Sequence, residues 1–477
     1  MQALFFAVHD QGDGLILVPR STTNRPRGAG FRCALGFALL VTLPGLTGCS
    51  QNHKGQKKTL TVTVGRENSD VVGSDSRAIQ QAIDRVAAAG GGTVLIKAGT
   101  YTLSNAVRLA RHVTLEGEGK DKTILKKGPP LNSRITIDAE STQNQATVED
   151  ADGFRPGMGV TLVDKADRAG WCAVVKTIDR VEGSTLFFDQ ILDVDYMLQN
   201  SPEVSTAFPL IVASGVEDFS LSDLTAEGNH AETGWNPGCG NAAVYVFHSK
   251  KFNIKNVVAR NFGSDGISTQ FVEDPVIQDC EAYGNGGLGI HLGTVALRAT
   301  VQRNQIHDNG ADDLYLCWHV QRGVFDENQS WANGQDGISI GFRDTDNSFS
   351  KNVVRLNGRA GVNFRNENES NPGSRNTLRE NIIEDNGSSG KPGYGVRILG
   401  TTQHITLDSN TIRETRAKDR AAARVGIYLG PRTDYVACQG NTIQGPFSQD
   451  IVNESKGTNN VLEQSQATRE PSGAPHQ

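Results

Sequence analysis

The chain has 477 residues and a net charge of −6, so no basic field invites nucleic acid. Fifty-three glycines fit a turn-rich chain with little helix. Behind Cys33 and Cys49 stand Cys172, Cys239, Cys280, Cys317 and Cys438, an odd number without metal-like spacing, so no disulfide framework is expected.

In chain order, Arg25, Arg27 and Arg32 come first, followed by an apolar stretch from Cys33 to Leu46 that ends in Leu46-Thr47-Gly48-Cys49. The stretch is short of the ~20 residues a bilayer span needs, and it reads as a targeting segment. The tetrad resembles the lipobox of bacterial lipoproteins. That resemblance implies acylation of Cys49, export, and anchorage to a membrane on its periplasmic or cell-surface side. Residues 1–49 are thus expected to be a lipoprotein-type signal peptide, 50–58 a polar tether, 59–462 the folded domain and 463–477 a disordered tail.

Asp75 or Ser76 can cap a helix over about 76–90. Its apolar Ile79, Ala82, Ile83 and Val86 recur at i, i+3, i+4 and i+7, and Gly90-Gly91-Gly92 stops it. Strand-like runs follow at Thr93–Ile96 and Val113–Leu115. Between 131 and 206 short strands and turns without a period, among them Gly159–Leu162 and Thr185–Phe188, predict a β-rich insertion.

From residue 256 onwards the chain repeats. Asparagine stands at 256, 304, 328, 352, 381, 410 and 441, with Cys280 in the one missing slot, at intervals of 24 to 31 residues. A second column, Asn261, Asn285, Asn309, Asn333, Asn357 and Asn386, lies five residues on and leads into Gly-Ile-His-Leu-like alternating runs. Such a period is a solenoid. The apolar slots favour Ile and Val with Gly before them, which predicts an all-β, right-handed parallel β-helix with an N-terminal capping helix. Stacked coils, about 4.8 Å apart, would let buried asparagine amides bond to one another up the stack.

Ala78-Ile79-Gln80-Gln81-Ala82-Ile83, Ala89-Gly90-Gly91-Gly92-Thr93-Val94 and Ala98-Gly99-Thr100-Tyr101 resemble the N-terminal module of the pectate-lyase-like superfamily, which includes polygalacturonases, rhamnogalacturonases, epimerases and phage tailspike hydrolases. The resemblance covers about residues 59–128, and the later repeats agree with it. It implies a carbohydrate substrate, usually a long acidic polysaccharide, and an insertion flanking the substrate groove.

Because side chains alternate along a strand, the aligned repeats separate an inward file (Val244, Ile267, Ile290, Leu314, Ile338, Val362, Val396, Ile427, Ile451) from an outward one. The outward file holds Tyr245, Ser268, His291, Tyr315, Ser339, Asn363, Arg397, Tyr428 and Val452. Asp265, Asp312, Asp313 and Asp336 lead into these strands, and His319, Arg343 and Arg365 follow them. Asp265 and Asp336 also sit in Asp-Gly turns, where aspartate serves local backbone bonds.

Three activities stay open. A hydrolase would use Asp312 or Asp313 with Asp336, near the short limit of carboxylate spacing, or Asp265 with Asp313, near or beyond the long one, where about 5 to 5.5 Å means retention and about 6.5 to 9.5 Å inversion. A uronate lyase or epimerase would use His291 and Tyr315 as base and acid, with Arg343, Arg365, Arg397 or Asn363 on the carboxylate and Tyr245 and Tyr428 along the groove. A lipid-tethered glycan-binding protein would need no coupled acid and base. No cofactor is required, and Asp312, Asp313 and Asp336 offer at most a modest Ca²⁺ site. The polygalacturonase pattern is incomplete, since a coil carrying His291 intervenes and Gly-His-Gly is missing. The Asp-Pro-His-Asp signature of alginate epimerases is also missing.

Overall fold

A computed structural model describes residues 5–10, 14–19, 60–165, 175–233, 239–388, 392–417 and 423–463. Arg25, Arg27, Arg32, Cys49, Cys172 and the tail from 464 lie outside the described residues, as do the tether's residues. The chain divides into two compact units, 1–59 with 167–169, and all the rest. Of the first, an antiparallel hairpin of Phe5–Asp10 with Gly14–Pro19 is described.

The larger unit is a parallel β-helix. Each coil lays down three short strands, and every strand pairs in parallel with its equivalent in the next coil. One wall is an eleven-stranded sheet running from Val107–Arg108 through Ile290–Leu292, Leu314–Leu316 and Ala360–Phe364 to Gln449–Asn453. Its registers pair Tyr245 with Ser268, Ser268 with His291, His291 with Tyr315, Tyr315 with Ser339, Ser339 with Asn363, Asn363 with Arg397, and Arg397 with Tyr428. The file expected from the sequence is therefore a file in space. Inside, one apolar core runs from Val62 to Ile443, with like residues superimposed: Phe325 stacks on Phe349 with centroids 4.6 Å apart.

Two asparagine ladders line the bends. Along the first, each amide donates to the next asparagine's Oδ1 from Asn304 to Asn441 at 2.9–3.0 Å, and each Oδ1 also accepts the preceding asparagine's backbone N–H. The second runs from Asn285 to Asn386 in the same way. Asn256 and Asn261 do not belong to them. Val258 pairs with Glu281 and Arg260 with Tyr283, so this coil is one residue shorter, and Val257 and Phe262 fill the ladder slots. Asn256 instead turns outward with φ 51° and donates to Asp223 Oδ1 at 2.6 Å. A third, short ladder, Asn347 to Asn376, carries no sequence period long enough to have been read.

At the N-terminal end the helix Ser76–Ala88 is capped by Asp75, whose carboxylate accepts the Ala78 N–H at 3.0 Å. It buries Ile79, Ala82, Ile83 and Val86 against the first coils. A solenoid must cover its first open coil, and this apolar face does so. Gly91 ends the helix at φ 115°, where a Cβ would lie 2.6 Å from His112 Cβ. The insertion is a six-stranded antiparallel sheet between Asn132 and Ser205 with its own core around Phe154, Ile178 and Phe188. It is tied to the early coils, for example by Gly159 N–H to Ser104 O at 2.8 Å and Asn105 Nδ2 to Thr177 Oγ1 at 3.2 Å.

Candidate functional site

The outward file converges on one polar patch at its middle. His291 Nδ1 lies 2.8 Å from Asp265 Oδ2, both side chains almost wholly buried. Burial opposes charge on the imidazole, yet the bond to Asp265 and the nearby Cys317 thiol outweigh it and hold His291 up at about 9. Tyr315, in register one coil on, meets the imidazole edge to face with centroids 5.2 Å apart. The Arg365 guanidinium lies over the same phenol ring, 4.5 Å from its centroid. Arg365 is itself pinned: it donates to Ser339 Oγ at 3.1 Å and Cys317 O at 3.0 Å, and lies 3.5 Å from both Asp344 and Glu367. It can lie flat because residue 341 is glycine, whose Cβ would come within 2.4 Å of the guanidinium.

Beside this stands an acid pair. Asp336 N–H donates to Asp312 Oδ1 at 2.8 Å. Burial, then the charge of Asp336, pushes the Asp312 carboxyl up to about 7, with Arg359 pulling against them. Asp336 is spent: it accepts Arg359 Nε at 2.8 Å, Ala360 N–H at 3.1 Å and Asn363 Nδ2 at 2.8 Å, and none of its surface is open. Arg359 went unread in the sequence, where the only signal was a cation placed diagonally across from an aspartate in the next coil.

Asp313 corrects the sequence reading. It occupies the column held elsewhere by Gly266, Gly289, Gly337, Gly361, Gly395 and Gly426, and in that column the backbone bends over the second ladder. A Cβ on Gly289 would meet Ile306 Cγ2 at 2.1 Å and Asn309 Nδ2 at 2.9 Å. The side chain of Asp313 accordingly points into the coil, fully buried, accepting Asn309 Nδ2 at 3.4 Å. Burial raises its carboxyl well above the usual range. It is no groove catalyst. The notional Ca²⁺ set of Asp312, Asp313 and Asp336 fails for the same reason, one member being inward and another bound to Arg359. Among the described residues no group of three His, Cys, Asp or Glu side chains converges as metal ligands.

The remaining expected site residues divide. Asn363 is buried with its amide on Asp336, and so is no carboxylate ligand. Arg343 sits off the patch on a turn, bonded to Ser370 O at 2.9 Å and His319 Nε2 at 3.3 Å, where burial and then Arg343 push His319 down to about 4. Arg397 and Tyr428 form a second cluster further along the file. There Arg397 lies over Tyr394 at 4.9 Å and Tyr428 donates to Glu454 at 2.6 Å. Tyr245 stands half-buried two coils before His291. Clefts of about 690 and 400 Å³ lie elsewhere, beside Asn309 and Gly334 and beside Arg343 and His404. The patch itself is part of an open ribbon.

A stacked three-wall coil with a polar strip on one outer sheet defines a parallel β-helix. Two family models match: "Rhamnogalacturonase A/epimerase, pectate lyase-like" over residues 67–291 and "Right handed beta helix region" over 242–412. The chain has the right-handed β-helix fold, and both family models support its place in the pectate-lyase-like superfamily. Among solved structures, the Azotobacter vinelandii mannuronan C-5 epimerase AlgE4 A-module is similar, with 19% identity, 82% of this chain and 96% of that one covered, and a TM-score of 0.53. The bacteriophage CBA120 tailspike protein 2 enzymatically active domain is 12% identical, over 79% of this chain and 49% of that one, with a TM-score of 0.50. The pre-mature bacteriophage phi29 gene product 12 is 13% identical, over 81% and 50%, also at 0.50. At these identities the likeness is one of fold. A comparison with curated proteins finds no match.

Proposed function

We propose that the chain is an exported, lipid-anchored enzyme that modifies an acidic polysaccharide by proton transfer at a uronate, through β-elimination or C5 epimerisation. The observation that carries this reading is Tyr315 in contact with both His291 and Arg365 on an open ribbon. Removing the C5 proton of a uronate places negative charge on the sugar carboxylate, and two fixed cations flank the place where that charge develops. Tyr315 takes the proton. His291, kept as an imidazolium by Asp265, stabilises the charge on Tyr315 and the sugar from within the wall, and Tyr315 passes its proton to the departing oxygen in β-elimination.

Hydrolysis is less well served, because it needs two carboxylates open to the sugar. Asp312 is within reach as an acid, but Asp313 faces the core and Asp336 is bound on every side. The epimerase and tailspike likenesses support a polysaccharide as the substrate, and the Leu46–Cys49 tetrad supports the anchor.

The test is product analysis on a panel of uronic and neutral glycans. The reading expects unsaturated ends or inverted C5 centres with wild type, lost in Tyr315→Phe and His291→Gln. Reducing ends without unsaturation would replace it with hydrolysis, and binding without any product would leave a glycan-binding protein. For the anchor, Cys49→Ala is expected to move the protein from the membrane to the soluble fraction.

A further inference from the structure

Next to the proton-transfer patch lies a thiol that this reading does not use. Cys317 follows Tyr315 by two residues, so it shares the outward face, while Leu316 between them is fully buried. Its N–H bonds Leu292 O at 2.9 Å, which places it diagonally across from His291 on the neighbouring strand. The His291 imidazole interacts with the Cys317 side chain, and its Nε2 is buried with no hydrogen-bond partner. Nδ1 is already committed to Asp265, so Nε2 is the nitrogen left for the thiol.

The file through Cys317 reads Gln270, Gly293, Cys317, Gly341, Arg365. Both glycines are filled by neighbours: a Cβ on Gly293 would overlap the Gln270 amide, and one on Gly341 the Arg365 guanidinium. Gln270 is almost wholly buried, its Oε1 accepts Thr294 N–H at 2.7 Å, and its Nε2 has no partner. A side-chain amide and a guanidinium thus lie along the file on either side of the sulfur, with the unpartnered imidazole nitrogen beside it. Donors gathered in this way stabilise an anion.

We infer that Cys317, His291 and Asp265 form a thiol–imidazole–carboxylate relay, making Cys317 a reactive nucleophile open to modification by carbon electrophiles. In the step, the Cys317 proton resides on His291 Nε2, the sulfur attacks the electrophilic carbon, and the leaving group departs as its anion. With iodoacetamide this gives a thioether and iodide. The ionisable groups beside the imidazole and sulfur are Asp265 from the preceding coil, Tyr315 from the next, and Arg365 two coils beyond the thiol.

The test is mapped iodoacetamide labelling of the full chain, and it needs no sugar, so it stands apart from the polysaccharide reading. Cys280 and Cys438 serve as internal controls, since both are buried and burial pushes each thiol up to about 12. Cys317 is expected to label about tenfold faster near pH 7 than the same residue in denatured chain, because a free thiol is only a few per cent thiolate there. Its rate is expected to stay nearly flat from about pH 6 to 8. His291→Gln removes both effects, and Asp265→Asn weakens them. Labelling of Cys280 or Cys438 would reveal a misfolded variant, in which case the wild-type pH profile decides. A Cys317 rate that equals the denatured rate, or that climbs about tenfold per pH unit as for an ordinary thiol, overturns the relay.

Discussion

Asp313 and His291 show how far one residue's environment departs from its sequence neighbourhood. Asp313 sits in a ladder of amides with its carboxyl raised well above the usual range, so its ionisation opposes folding, and stability falls as pH rises from the unfolded value towards the folded one. Asp313→Asn mimics the protonated acid. It is expected to raise stability near pH 8, less towards pH 4, and to leave activity intact; urea midpoints at both pH values check it. His291 has the opposite sign. Held up at about 9 in the fold, it contributes stability that is fully present below its unfolded value near 6.5 and is lost as pH rises through about 9. His291→Gln is therefore expected to cost most stability near pH 6 and least above pH 9, as read by thermal unfolding across that range. The sequence showed that both residues lie near the strand starts. It did not show that the glycine column bends inward, because simple alternation assigns Asp313 to the groove.

At the scale of the coil, the ladder converts a repeated asparagine into fixed backbone geometry. Asn352 accepts the N–H and amide of Asn328 at 2.9 and 3.0 Å and donates to Phe325 O and Asn381 Oδ1 at 3.0 and 2.9 Å. Asn352→Ala would leave several of these groups buried and unpaired, at a cost of about 3 kcal/mol. Asn256→Ala, in the same sequence column but outside the ladder, is expected to cost no more than about 1 kcal/mol. Denaturant midpoints of the two variants separate a structural ladder from a mere compositional repeat. The wall registers were legible because a constant period turns directly into stacking. The 23-residue step that displaces Asn256 and Asn261 was hidden because asparagine also favours the left-handed turn conformation both adopt, with φ 51° and 60°. Arg359 and the Cys317 surroundings were illegible for a different reason, since they depend on diagonal neighbours between coils and not on any single column.

The whole molecule is a stack whose members contact mainly their neighbours, so damage at one end should stay local. Ile83, fully buried in the capping helix, lies over the first coils. Ile83→Asp buries an unpaired charge at that end and is expected to cost about 3 kcal/mol or more. Hydrogen exchange should rise first in the strands Leu60–Gly65 and Gly92–Ile96, while the amides of Asn352, Asn381 and Asn410 stay protected. Uniform loss of protection along the stack would show instead a single cooperative body.

Reaction in heavy water reads the proposed chemistry at its reacting bond. Uronate turnover by wild type is expected to place deuterium at C5 of inverted units or to yield unsaturated ends, with Tyr315→Phe doing neither. Products bearing only new reducing ends, formed undiminished by Tyr315→Phe and abolished by Asp312→Asn, would contradict proton transfer and put a carboxylate-driven hydrolysis in its place.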